Sequence, residues 1–176
     1  MNTDKILNYP IPVHTQQWYD FRRKGVGGSE AAIILGMSEY GNPTKMYYEK
    51  LGISLPWMGD NEAMFWGREL EDEIAGKWQY WDGAKEGYMK NYATGTKVRK
   101  CRKFNAYMVN TDYPWLFGSV DRLINRLGGY SLINGEKLDD EGILECKTIE
   151  NFVADKWELG IPISYIVQVH VYFIIT

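Results

Sequence analysis

The sequence predicts an α/β or α+β fold in which an antiparallel meander is covered by helices. Helical patterns occupy the first half of the chain, and apolar residues recur at three- to four-residue spacing in the longest of them, 61–81. Three extended runs follow at 97–109, 116–125 and 142–149, separated by turn-like segments rich in Gly, Asn and Asp. A helical pattern then returns from Asn151. Helices that cover a run of strands are typical of this fold class.

The limits of the predicted elements follow from residues that are typical of the start or the end of a helix. The predicted helices cover 16–24, 29–35, 44–51, 61–81 and, after a break at 160–162, the chain from 164 onwards. Ser29 is the expected N-cap of the second helix, because a serine side chain accepts hydrogen bonds from the first free amides. Gly52 is the expected stop of the third helix. Residues 128–140 are predicted to connect the last two strands.

Length and charge limit the classes of protein that the chain can belong to. The 176 residues predict a single domain over 1–176, with a core large enough to need no disulfide. The 20 basic and 23 acidic side chains leave a net charge of −3, so a surface for nucleic acid must be a local patch. No signal peptide is recognisable, and the most apolar stretch, 161–176, is too short for a membrane span. A cytoplasmic protein without membrane association is therefore expected.

Four charged residues lie where the chain is otherwise predicted to be apolar. Glu145 and Lys147 are two positions apart in the run GILECKTI, so a strand would place both on one face. Asp121 interrupts the apolar run WLFGSVDRLI. Glu71 keeps the register of the apolar residues in its helix, unlike the acids next to it. Taken singly, each is explained more simply by a surface ion pair, a strand-end turn or a solvated helix face.

Taken together, three carboxylates and a lysine indicate a site for hard divalent cations. Carboxylate oxygens from separate elements suit Mg²⁺ or Mn²⁺, and two such ions stabilise the attacking and leaving oxygens of phosphodiester cleavage. Lys147 is then expected to orient or deprotonate the attacking water. The two histidines, His14 and His170, offer little for a His-based nuclease. The two cysteines, Cys101 and Cys146, form no zinc motif.

With these residues in this order, the sequence resembles the PD-(D/E)XK nucleases, specifically the lambda-exonuclease-like, YqaJ-type viral recombinase family. The resemblance extends from about Trp18 to the C-terminus. Its five blocks are WYDFRRKGVGGSEAAIILGMSEYGNP, WGRELEDEIA, FGSVDRLI, LECKT and VQVHVYF. It implies a restriction-endonuclease-like core with a central mixed sheet, and a metal-dependent deoxyribonuclease.

The resemblance also implies a role for each site residue. Those implied to be catalytic are Glu71, Asp121, Glu145, Lys147 and Gln168, and those implied to bind metal are Glu71, Asp121, Glu145 and the backbone carbonyl of Cys146. Gln168 would support the water or the lysine. Two departures stand out: Arg122 follows the second acid where the family usually has Gly, and the chain stops shortly after Gln168. The second departure implies a C-terminally truncated chain or a minimal member of the family.

Two segments are candidates for contact with DNA. The resemblance implies that Arg22 and Ser29 bind a 5′-phosphate, and a guanidinium fork beside a helix start is suited to that task. Plain helix capping with an exposed arginine is an equally good explanation. The basic segment KVRKCRK at 97–103 could follow the DNA backbone, although lysines also protect the edge of a sheet from aggregation.

The leading hypothesis is an exonuclease that degrades double-stranded DNA ends in phage or prophage recombination, using two Mg²⁺ or Mn²⁺ ions. An endonuclease of the same fold is one alternative, and a non-catalytic DNA-end or partner-binding module is another. A structural protein with decorative surface charges is a third. The resemblance further implies a single-strand annealing recombinase as partner, a homotrimer as assembly and the bacterial cytoplasm as location.

Overall fold

The computed structural model describes residues 6–54, 61–124, 130–131, 137–138, 141–149 and 154–176. The helices are α1 (Gln16–Arg23), α2 (Gly28–Ile34), α3 (Pro43–Lys50), α4 (Glu62–Trp78), α5 (Lys85–Thr94), α6 (Asp155–Glu158) and α7 (Ile163–Ile175). The strands are β1 (Ile6–Tyr9), β2 (Val26–Gly27), β3 (Cys101–Lys103), β4 (Tyr107–Asn110), β5 (Leu116–Gly118), β6 (Arg122–Ile124), β7 (Tyr130–Ser131), β8 (Lys137–Leu138) and β9 (Gly142–Leu144). No helix in these ranges is long and apolar enough to cross a membrane.

The described strands form three sheets. A four-stranded mixed sheet has the order β1-β4-β5-β2, in which only β2 and β5 run parallel. A three-stranded antiparallel sheet has the order β3-β6-β9, and β7 pairs with β8 in a two-stranded ladder. This combination of helices with mixed and antiparallel sheets confirms the predicted α+β class.

The chain divides into two compact units, each built from separate stretches of sequence. The first unit contains Asn61–Phe104 and Val120–Thr148, and therefore α4 and the three-stranded sheet. The second unit contains Asn2–Asp60, Asn105–Ser119 and Ile149–Thr176, and therefore the four-stranded sheet and α7. The single nuclease domain over 1–176 stays a prediction.

The core of the second unit involves β4, β5, α1 and the C-terminal helix α7, and Phe117 packs against residues of β4 and α1. Phe117 is 3% exposed on β5, and Tyr172 and Ile175 are 3% and 0% exposed on α7. A side chain at Gly118 would begin 2.5 Å from Ile175 Cδ1, so glycine lets the helix approach the strand closely. The predicted break before this helix is present, because Gly160 has a φ of +114° and α7 begins only after Pro162.

Two helix predictions need correction. Ser29 is not the N-cap of α2: Gly27 occupies that position, and its N–H donates to Glu30 Oε2 at 2.8 Å. The acid three residues after the cap thus accepts from the backbone amide of the cap residue itself, as in one half of a capping box. The helix α5 was not predicted, because its sequence KEGYMKNYAT buries no residue and has no apolar stripe. Only its end at Gly95, with a φ of +69°, carried a turn signal.

Two of the three predicted strands divide in two. The run 97–109 forms only β3 and β4, and the run 116–125 forms β5 and β6, with the two halves of each in different sheets. The chain leaves one ladder before it joins the next, so the residues between the halves, including Asp121, are not in a strand. Asn125, most of the connection 128–140 and the helix start at Asn151 lie outside the described residues.

Candidate metal centre and anion cavity

Asp121 faces the segment that follows the last strand of the first unit. Strands β6 and β9 pair antiparallel with Arg122 opposite Leu144, so the residue before β6 lies beside the residues after β9. The backbone N–H of Cys146 donates to Asp121 Oδ2 at 2.7 Å. The sheet register therefore holds an acidic side chain against the ECK segment.

Glu145 and Lys147 form an ion pair just beyond the end of β9. The strand prediction is wrong here, because β9 ends at Leu144. The two side chains nevertheless meet, since Lys147 Nζ donates to Glu145 Oε1 at 2.6 Å. Their side chains are 10% exposed for Glu145 and 29% exposed for Lys147. The acid is thus largely removed from water, and its lysine reaches further toward solvent.

The charge of Glu71 acts on both buried acids, Asp121 and Glu145, and the charge of Asp121 also acts on Glu145. Burial raises the pKa of Glu145 to about 7; the charges of Asp121 and Glu71 act in the same direction, and Lys147 opposes them. Burial also raises the pKa of Asp121, with Cys146 N–H and Lys147 opposing the shift and Glu71 adding to it. Glu71, Asp121 and Glu145 therefore lie within electrostatic reach of each other in one unit.

Glu71 is bound by a residue to which the sequence assigned no role. Arg122 is 4% exposed, and its Nη1 donates to Glu71 while its Nη2 donates to Asp72. The side chain of Glu71 is 25% exposed and that of Asp72 is 74% exposed. The signal in the sequence that could have identified Arg122 was its position directly after Asp121 in an otherwise apolar strand.

The chemistry of these donors fits a hard divalent ion. Buried carboxylates close to other negative charges are stabilised by a divalent cation, and Mg²⁺ favours carboxylate and carbonyl oxygens. The ligands would be Glu71, Asp121, Glu145 and the carbonyl of Cys146. Burial, followed by the charge of Asp121, raises the pKa of the Cys146 thiol to about 12, so its sulfur stays protonated at neutral pH. Within the described ranges, however, no three acidic, Cys or His side chains are already gathered to enclose an ion.

Arg22 and Ser29 line a cavity of about 340 Å³ in the second unit. The charged residues of its lining are Arg22, Arg23, Glu30, Lys45, Glu49 and Lys50. Four cations against two carboxylates give this lining a net charge of +2. A cavity with this excess of positive charge is suited to an anion.

Glu30 organises the cations of the cavity. It is 7% exposed and forms an ion pair with Arg22, whose guanidinium also lies 4.8 Å from the ring centroid of Trp18. Lys50 Nζ donates to Glu30 Oε2 and to the carbonyl of Arg22, both at 2.6 Å. The sequence identified neither Glu30 nor Lys50 as a site residue, because their partnership depends on how α2 and α3 pack.

Gln168 lies in the second unit and lines the same cavity as Arg22 and Ser29. Its Nε2 donates to the hydroxyl of Tyr172 at 2.7 Å, one turn further along α7. The carboxylates and Lys147 belong to the first unit. Support of the water or the lysine by Gln168 stays a prediction.

The basic segment 97–103 uses several of its cations within the first unit. Arg99 lies 5.0 Å from the ring centroid of Trp78, and Lys103 Nζ lies 3.4 Å from Asp72 Oδ1. Among the described strands, β3 pairs with β6 alone, so it is an edge strand. These contacts and the edge position favour the explanation that the basic side chains protect a sheet edge from aggregation over the explanation that they follow the DNA backbone.

A comparison with known families gives the class of the chain. Residues 17–176 match the model of a family described as the YqaJ-like viral recombinase domain. The chain therefore belongs to this nuclease-related family of viral recombination, which confirms the YqaJ-type resemblance.

The chain is similar to one curated relative in particular. This is the "Uncharacterized protein YqaJ" of Bacillus subtilis (strain 168), with 31% identity over 157 residues. The match covers 89% of this chain and 40% of the relative, so the chain spans about two fifths of the relative's length.

Proposed function

We propose that this chain is a Mg²⁺-dependent deoxyribonuclease that degrades double-stranded DNA from its ends. One observation carries the proposal: Asp121 and the Glu145–Lys147 pair are bound together at the end of two paired strands, with Glu71 within electrostatic reach. A set of carboxylates beside a lysine is a donor set suited to metal-dependent phosphodiester hydrolysis. Membership of a viral recombinase domain family supports the same class of reaction.

Each residue of the first unit has a task in this proposal. Glu71, Asp121 and Glu145 would hold the metal with the carbonyl of Cys146. When bound, divalent ions stabilise charge on the attacking and leaving oxygens of the phosphodiester. The amide of Cys146 fixes the rotation of the Asp121 carboxylate. Lys147, anchored by Glu145, orients the attacking water and faces the negative charge that develops at the phosphate.

The cavity of the second unit is proposed to take the terminal phosphate of a DNA strand. Its lining has a net charge of +2, and Arg22 is held in one orientation by Glu30 and Trp18. A fixed guanidinium binds phosphate at a smaller entropic cost than a mobile one. Ser29 lines the same cavity and can donate its hydroxyl. A built anion cavity favours an end-directed enzyme over an endonuclease of the same fold.

We further propose a substrate, a cellular location, a partner and an assembly for this enzyme. Its substrate is the end of a DNA duplex in the bacterial cytoplasm, and its partner is a single-strand annealing recombinase that receives the remaining strand. The proposed assembly is a homotrimer, which light scattering of the purified chain would test directly.

The central test compares linear and covalently closed duplex DNA with and without Mg²⁺. We expect nucleotide release from linear DNA only, which stops on chelation and is lost in Lys147→Ala. A matched control is Lys77→Ala, since Lys77 pairs with Glu73 on the exposed face of α4. Cleavage of closed circles would favour the endonuclease, and binding of ends without cleavage would favour the non-catalytic module.

A further inference from the structure

Arg122 is a buried cation in the central strand of the first unit's three-stranded sheet. It opens β6, lies opposite Lys103 of β3 and Leu144 of β9, and is 4% exposed. A guanidinium in this position must have its donors satisfied, because burial of an isolated charge is very costly. The hydrogen-bond partners of the Arg122 guanidinium therefore indicate its role.

The guanidinium spans a proposed metal ligand and a carboxylate that is not one. Nη1 donates to Glu71 and, at 2.6 Å, to the carbonyl of Asp121. Nη2 donates to Asp72, the neighbour of Glu71 on α4. Lys103 Nζ also lies 3.4 Å from Asp72. Asp72 is the more exposed of the two acids, at 74% against 25% for Glu71.

The charges around this arginine nearly balance. They form what we call the Arg122 cluster: Glu71, Asp72, Asp121, Glu145, Lys103, Arg122 and Lys147. When all four carboxylates are ionised, they and the three cations leave a net charge of −1. One divalent ion would change that balance to +1 before any DNA phosphate is counted. Binding of the ion therefore favours the withdrawal of a resident cation from the ligands.

We propose that Arg122 is the resident counter-charge of the candidate metal centre, and that it competes with the divalent ion for Glu71. This inference rests on the metal site proposed above. In the structure, Arg122 holds Glu71, and no three acidic, Cys or His side chains of the described residues are gathered around an ion position. Arg122 thereby raises the metal concentration at which the site fills.

Arg122 is the cation that can yield, because two of its acceptors do not depend on Glu71. Asp72 and the carbonyl of Asp121 keep the fork bound when Glu71 turns to the ion. Lys147 has no such freedom in the proposal, since it serves the attacking water and is anchored on the buried Glu145. When Glu71 moves from Arg122 to the ion, the buried guanidinium therefore still has hydrogen-bond acceptors.

The test is calorimetric titration of the full chain with Mn²⁺ alone. We expect Arg122→Gln to bind Mn²⁺ about three- to tenfold more tightly than the parent, since a charge-assisted contact to Glu71 is released. Asp72→Asn should bind more weakly, because Arg122 then depends more on Glu71. Glu73→Gln is the matched control: it removes one charge from the same helix, where Glu73 pairs with Lys77.

A double-mutant cycle shows whether Arg122 acts through Glu71. In a Glu71→Gln background, Arg122→Gln should change Mn²⁺ affinity much less than in the parent. Arg122→Lys keeps the charge but not the fork, so it should give a smaller gain and still folds if Arg122→Gln does not. If these Arg122 variants bind Mn²⁺ as tightly as the parent or more weakly, the proposal that Arg122 competes with the ion for Glu71 is overturned. If the parent itself does not bind Mn²⁺ at millimolar concentration, the proposed metal site fails and this inference fails with it.

Discussion

The backbone N–H of Cys146 donates a 2.7 Å hydrogen bond to Oδ2 of Asp121, a residue 25 positions earlier in the chain. The bond exists because β6 and β9 pair antiparallel, which brings the bend before one strand beside the end of the other. It places Asp121 next to the Glu145–Lys147 ion pair and makes the three residues one local cluster. The properties of that cluster lead to the first two predictions.

Removal of Lys147 should separate chemistry from binding. Lys147→Ala should lose about 10²–10⁴-fold in the rate of single-turnover cleavage, because the lysine acts on the water and on charge that develops in the transition state. Mn²⁺ affinity should be nearly retained. Glu145→Ala should lose both, since a metal ligand disappears. Cleavage by Lys147→Ala at the parental rate would reduce the lysine to half of an ordinary ion pair.

The stabilisation by Mg²⁺ should increase with pH. The folded-state pKa of Glu145 is raised to about 7, above its ordinary value near 4.5, so its contribution to stability is fully present below about pH 4.5 and is lost as the pH rises through 7. Mg²⁺ binds the ionised acid and should therefore raise the melting temperature more at about pH 8 than at about pH 5. Glu145→Gln should flatten this dependence. A Mg²⁺-induced shift of equal size at both pH values would contradict it.

Arg22→Ala should affect phosphorylated ends selectively. Loss of the guanidinium held by Glu30 should slow digestion of 5′-phosphorylated linear DNA about 10- to 100-fold, the usual worth of charge-assisted hydrogen bonds to phosphate. Ends with a 5′-hydroxyl should be affected much less. Lys156→Ala removes one charge from an exposed pair with Glu39 in the same unit and serves as control. Equal losses on both substrates would favour the endonuclease.

Two glycines should respond in opposite ways to the same substitution. A Cβ at Gly25 would lie 2.2 Å from the carbonyl oxygen of Trp115, which accepts from Val26 N–H at 2.7 Å, so Gly25→Ala should cost about 1–3 kcal/mol. Gly76 lies inside α4, and a Cβ added there would meet no other atom within 4 Å, so Gly76→Ala should add about 0.5–1 kcal/mol to the free energy of unfolding. Urea unfolding of both variants checks the signs; a stable Gly25→Ala would show that β2 can move away from Trp115.

The sequence predicted those features that depend on neighbours along the chain. Helix α1 and the break at Gly160 agree with short-range signals, and the α+β class follows from the order of elements. The YqaJ-type family was recognisable because five short blocks occur in a set order. Asp121 and Glu145 were noticeable because acids in apolar runs are unusual. Each of these signals lies within one turn, one strand or one motif.

Tertiary structure decided the contacts that join distant parts of the chain. Arg122 binds Glu71, 51 positions away, only because β6 lies beside α4, and no local pattern specifies that neighbour. Lys50 meets Glu30 through the packing of α3 on α2. The division of the long predicted strands also depends on which ladder each half joins. The physical reason is that periodicity and capping are local properties, whereas ion-pair partners and pKa values depend on sheet register and burial, which the whole fold determines.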